Sequence, residues 1–152
     1  MRHIKSVAVG CAMVCASISV ASDVPKEWKG IYDAINLTIL RNDVHGYMKW
    51  MDKSFVNIQH GQRTGYAAYE KMFADFLKPF SNIKAKAAPL SYARHGKDVI
   101  IGFHYTFSGN VVTKGKAKTI RFFEDGVDTW RKVDGKYREF VEKITKDGVI
   151  SA

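Results

Sequence analysis

Val127-Asp128-Thr129-Trp130-Arg131-Lys132-Val133-Asp134-Gly135-Lys136-Tyr137-Arg138-Glu139-Phe140 reads as strand, tight turn, strand. Val, Thr and Trp favour a pleated, half-buried surface. Asp134-Gly135 supplies the positive-φ residues that a two-residue hairpin turn needs. A closing strand is expected from about Lys136 to Ile144. Tyr137, Phe140, Val141 and Ile144 also fit a helical stripe, but the Asp-Gly turn and the strand before it favour a strand.

Upstream of this hairpin the chain alternates with period two. Val99, Ile101, Phe103, Tyr105 and Phe107 alternate with Ile100, Gly102, His104, Thr106 and Ser108, the clearest strand in the chain. Ser108-Gly109-Asn110 is expected to turn it. A long strand then runs from about Lys116 to Val133, with either a bulge or a true turn at Asp125-Gly126. Before these, Ile83, Ala85 and Ala87 alternate with Lys84 and Lys86 until Pro89, which suits an edge or bulge.

The first half has helical spacing. Trp28, Ile31, Tyr32, Ile35 and Ile39 form one apolar face of a helix from about Val24 to Leu40, with Asp23 as N-cap and Pro25 in the first turn. Arg41-Asn42-Asp43 ends it and caps a second, shorter helix. Ser54–His60 reads as a strand and Gly61–Thr64 as a loop. Thr64 caps a third helix, from Gly65 to about Phe80, whose aromatic stripe is core. Helices followed by a meander argue an α+β fold, with a curved antiparallel sheet wrapped around three N-terminal helices and a cone-shaped cavity between them.

The chain of 152 residues can bury a sizeable core. Met1–Ala21 reads as a secretory signal, with basic Arg2 and Lys5, an apolar stretch, and a small-x-small site at Ser19-Val20-Ala21. Residues 22–152 then form a single exported domain, periplasmic or secreted. Cys11 and Cys15 both fall in the leader, so no disulfide, Cys nucleophile or thiolate metal site is expected beyond it. Without Arg2 and Lys5, 22 basic and 15 acidic residues give a net charge of +7. An anionic surface is one partner such a charge suits, and Lys84, Lys86, Lys114, Lys116 and Lys118 are its candidate patch. The Lys114–Lys118 run lacks interleaved aromatics, so nucleic acid is not expected. No phosphate-cradling glycine motif, serine-nucleophile motif or metal-spaced His pair occurs, and no cofactor or metal is predicted.

The closing Trp130-Arg131-Lys132…Asp134-Gly135-Lys136-Tyr137 resembles the last two strands of the nuclear transport factor 2-like family, which includes SnoaL-like cyclases and ketosteroid isomerases. The helix end at Asn42-Asp43, Phe55-Val56-Asn57-Ile58 before Gly61, and Gly61 and Gly65 on either side of the third helix's start extend the resemblance over Trp28–Ile144. It implies a cavity, and often a homodimer through the sheet. In the isomerase branch a carboxylate base, a first-helix Tyr and a protonated late-strand Asp share that cavity. By resemblance Asp128 takes the Asp position. The base position falls at Ile58, which holds no proton, and Tyr32 stands about one helical turn from the Tyr position. The catalytic candidates are therefore Asp128 and, from its place at the strand end, His60. The expected lining is Tyr32, Val56, Ile58, Tyr105, Phe107 and Trp130. The first expectation is a cavity for a small apolar molecule or a dimeric interaction module. The alternative is a SnoaL-like lyase, isomerase or cyclase using His60 and Asp128.

Overall fold

The structure, a computed structural model, describes residues 23–150. The expected leader, with Cys11 and Cys15, lies outside them. In chain order the elements are α1 (Lys26–Leu40), α2 (Val44–Met48), β1 (Met51–Gln59), β2 (Gln62–Gly65), α3 (Tyr66–Leu77), β3 (Ser81–His95), β4 (Asp98–Thr113), β5 (Lys116–Val133) and β6 (Lys136–Val149). The six strands form one sheet in the order β2-β1-β6-β5-β4-β3. Residues Gly61–Thr64, expected as a loop, mostly belong to β2, which forms a hairpin with β1 through His60-Gly61, both at positive φ.

The sheet is mixed rather than antiparallel throughout, because β1 and β6 run parallel. The cause is topological. After the β1–β2 hairpin, α3 carries the chain away, and the meander from β3 returns β6 to the free edge of β1 pointing the same way. No helix among the described residues is long and apolar enough to cross a membrane.

Helix α1 buries Trp28, Tyr32, Ile35, Asn36 and Ile39. It begins at Pro25, not Asp23, and no side chain caps it; Trp28 N–H donates to the Pro25 carbonyl at 2.9 Å. Asn36 docks α1 on β3 by copying a strand neighbour: its amide donates to the Ala87 carbonyl at 3.0 Å and its carbonyl accepts from Ala87 N–H at 2.7 Å. Trp28 and Trp130 are fully buried with centroids 5.6 Å apart. Burying side chains of this size stabilises by about 1.5–3 kcal/mol each.

Strand β4 does not turn at Ser108-Gly109-Asn110. It continues to Thr113 and reverses at Lys114-Gly115, both at positive φ. Gly109 is needed for space instead, since a Cβ there would stand 2.7 Å from the Phe80 ring. Lys114 is therefore a turn residue, whereas Lys116 and Lys118 lie in β5. Gly126 has a similar role. Strands β4 and β5 pair without a shift from Asp98↔Arg131 to Thr113↔Lys116, so Gly126 makes neither bulge nor turn in β5. A Cβ at Gly126 would come within 2.6 Å of the Phe103 ring.

The bulges lie in β6. Its register with β5 shifts between Thr129↔Val141 and Trp130↔Glu139, and again between Asp125↔Lys146 and Gly126↔Ile144, leaving Phe140 and Thr145 as the extra residues. The competing helical spacing read at Tyr137–Ile144 is this strand interrupted by bulges. One consequence is that Glu139 and Glu142, three apart, both turn inward and are buried.

Candidate functional site

Between the inner face of the sheet and the helices lies a cavity of about 240 Å³. Its walls are apolar and aromatic, from Ile35 and Ile39 on α1, Phe73 and Phe76 on α3, and Phe103 and Phe122 on the sheet. Its polar groups come from β5, β6 and β1: Asp128, Glu124, Glu139, Glu142, Asn57 and Gln59. Among the described residues no Lys, Arg or His lines it.

Strict alternation along β5 places Phe122, Glu124, Gly126, Asp128 and Trp130 on one face. From α1, Tyr32 reaches the acid of that row: it donates its hydroxyl to Asp128 Oδ2, and both are buried. Glu142 accepts from the Asn57 amide at 2.7 Å and the Tyr69 hydroxyl at 2.9 Å. The Tyr47 hydroxyl stands 3.4 Å from that of Tyr69. Oxygens of Asp128, Glu139 and Glu142 lie within 4.8 Å of one another. Asp128 Oδ1, Glu139 Oε1 and the Tyr105 hydroxyl are buried without a hydrogen-bond partner.

This environment resists negative charge. Burial, then the neighbouring Glu142, holds the Asp128 carboxyl well above the usual carboxylate range. Glu139 is raised by burial first and by the charges of Asp128 and Glu142 beside it. Glu142 is raised by burial, opposed by its bonds from Asn57 and Tyr69. Glu124 is pushed up to about 7, mainly by burial. Burial also raises the Tyr32, Tyr47 and Tyr69 hydroxyls. Buried acids that share a small space keep protons, and protonated acids donate hydrogen bonds.

The residues expected at the site divide into three groups. Tyr32, Tyr105 and Asp128 line the cavity. Phe107 and Trp130 are buried behind the lining: Phe107 packs on Phe76, Phe80 and Phe122, and Trp130 on Trp28 and Tyr32. Val56, Ile58 and His60 are elsewhere. The inward residues of β1 are Phe55, Asn57 and Gln59, so alternation turns Val56 and Ile58 to the opposite face. His60 occupies the β1–β2 turn at φ 51°, its side chain 72% exposed, with Nε2 2.9 Å from Asp147 Oδ1. The pairing of His60 with Asp128 in one cavity is thus overturned. The position that the resemblance gives to the base faces out, and its neighbour Asn57 faces in.

Glu142, Tyr47, Tyr69 and Asn57 escaped the sequence reading. Apolar Val56 and Ile58 suggested the inward phase of β1, whereas Asn57 is inward to serve Glu142. Strict period two cannot place both Glu139 and Glu142 inside. The helical spacing across Tyr137–Ile144 was the one hint that the alternation breaks there.

No protein-family model and no curated protein matches the chain. Solved structures do. A protein of unknown function with a cystatin-like fold from Nostoc punctiforme superposes with a TM-score of 0.59 at 12% identity, covering 78% of this chain and 88% of that one. A nuclear transport factor 2-like protein of unknown function from Shewanella oneidensis gives 0.52 at 11% identity, with 76% and 93% covered. AclR from Streptomyces galilaeus, itself proposed to be a hydroxylase, gives 0.53 at 18% identity, with 82% and 89% covered. The class is therefore defined by fold: the chain has the nuclear transport factor 2-like, cystatin-like fold that its closing hairpin resembles. At these identities the likeness extends to the fold and no further.

Proposed function

We propose that the protein binds a small, largely apolar molecule in the space between helices and sheet, used as the chamber of a cone fold. The supporting observation is a 240 Å³ cavity whose apolar walls surround buried, partnerless polar atoms of Asp128, Glu139 and Tyr105. Such atoms cost stability unless a ligand or water satisfies them. Purified full-length protein examined by native mass spectrometry is expected to carry, or to take up from an apolar small-molecule library, one ligand per chain. Failure of every library member to bind or to raise the Tm would overturn the reading.

A second reading, a proton-transfer lyase, isomerase or cyclase, is favoured by one specific arrangement. The Tyr32–Asp128 pair and the Glu142 carboxyl face the same cavity, offering a hydrogen-bond donor pair and a proton acceptor. Its acid–base residues are then Asp128 and Glu142, without His60. Turnover that survives Glu142→Gln unchanged would exclude it.

Export by the Met1–Ala21 leader belongs to the same proposal, as does a homodimer through the outer face of the sheet. There Ile100, Thr129 and Val141 lie in register and part-exposed across β4, β5 and β6. Sedimentation showing a monomer at high concentration would remove the dimer. Lys84, Lys86, Lys116 and Lys118 remain a candidate contact for an anionic surface; Lys84 and Lys86 border a shallow depression with Arg121.

A further inference from the structure

The cavity has a charge character opposite to that of the chain. The sequence carries 24 Lys and Arg against 15 Asp and Glu. Yet among the described residues four carboxyl groups line the cavity and no basic side chain does. Buried carboxylates in folded proteins are ordinarily paired with a cation or a metal. Here the protein supplies only donors that favour the charged form. Tyr32 donates to Asp128, and Asn57 and Tyr69 both donate to Glu142. These bonds favour the charged form but do not outweigh burial, so the acids keep protons until a counter-charge comes from outside.

Unused acceptors lie in the same cavity. Apart from the Trp130 indole N–H, which does not line it, the partnerless buried atoms are Asp128 Oδ1, Glu139 Oε1 and the Tyr105 hydroxyl. Asp128, Glu139 and Tyr105 are 5%, 4% and 8% exposed. An organic ammonium group carries up to three N–H donors and one positive charge. It would satisfy such acceptors and neutralise the cluster, and Tyr32, Tyr47 and Tyr69 add aromatic rings to the lining. Resting on the ligand-binding reading above, we infer that the polar end of the ligand is an amine, and that the cavity selects small apolar amines over the matching alcohols and acids.

A divalent cation is the rival for the same oxygens. The structure favours the amine because the rest of the cavity is hydrocarbon and aromatic ring. A hydrated metal would need further oxygen ligands, and Mg²⁺ in particular keeps several waters.

The test is calorimetry and thermal shift on the full chain with isosteric series: benzylamine, benzyl alcohol and benzoate, then cyclohexylamine, cyclohexanol and cyclohexanecarboxylate. The amines are expected to bind roughly tenfold or more tighter than the alcohols, with the acids excluded. Near pH 6, amine binding should release protons from the carboxyl cluster, detected as a dependence of the heat on the buffer's ionisation enthalpy. Glu142→Gln keeps an acceptor for Asn57 and Tyr69 and removes one acid from the cluster; it should erase most of the amine preference over the alcohols. Alcohols binding as tightly as amines would overturn the inference and leave the cavity reading standing. No binding by any member would count against both. Stabilisation by Mg²⁺ or Mn²⁺ alone, lost in Glu142→Gln, would assign the cluster to a metal and overturn the amine.

Discussion

Tyr32 and Asp128 stand 96 residues apart, yet each satisfies the other inside the core. Tyr32→Phe removes the donor and leaves the buried Asp128 Oδ2 without that partner. It should destabilise the fold by about 1–3 kcal/mol, read as a lower urea midpoint at unchanged m-value. Gly126→Ala has a separate cause. Its Cβ would meet the Phe103 ring at 2.6 Å and the Lys143 carbonyl at 2.8 Å, so neighbouring strands must shift. A loss of about 1–3 kcal/mol is expected by the same measurement. At this scale the sequence was legible at Asp128 through the resemblance and at Tyr105 through the alternation of its strand. His60 misled because a strand-end His resembles a cavity-mouth His until the turn is known. Its positive φ and its bond to Asp147 belong to a hairpin that the sequence reading took for a loop.

Among the elements, β6 is the one whose irregularity makes the site. The bulge at Phe140 lets Glu139 and Glu142 face one cavity. Deleting Phe140 should therefore be tolerated, because it restores a two-residue step from Glu139 to Glu142 and keeps both inward. Deleting Val127 from the regular β5 should not, because it swaps the faces of every residue on one side of the cut. Circular dichroism and amide-exchange protection compare the two variants: near-native signals for the first, collapse of sheet protection for the second. The hairpin Trp130…Tyr137 was legible because Asp134 and Gly135 both take positive φ, which few residue pairs do comfortably. The bulges were not, since an extra residue in a strand leaves no compositional mark. With no bulge at Gly126, Phe122 shares the inner face with Asp128.

For the whole molecule the carboxyl cluster sets how stability varies with pH. A carboxyl whose folded pKa exceeds its unfolded value holds its proton longer in the fold. Its favourable contribution is complete below the unfolded pKa and is lost as pH rises through the folded one. For Glu124 that window runs from 4.5 to about 7. The associated loss is on the order of 3 kcal/mol before solvent screening reduces it. Asp98, held low by its bond to Arg131, acts in the opposite direction and only in stronger acid. The Tm is therefore expected to fall between pH 5 and pH 8 in the ligand-free protein, and Glu124→Gln should flatten that decline. The parallel contact of β1 with β6 has a further bearing, on when the molecule becomes complete. Asn57 meets Glu142 across 85 residues, so the floor of the cavity closes only after almost the whole chain is available. High contact order of this kind slows folding. During synthesis β1 must wait with one edge unpaired while β3, β4 and β5 can already zip together. A nascent chain stalled before Lys136 would expose two adhesive strand edges, on β1 and β5, making this interval the one in which the protein most depends on chaperones.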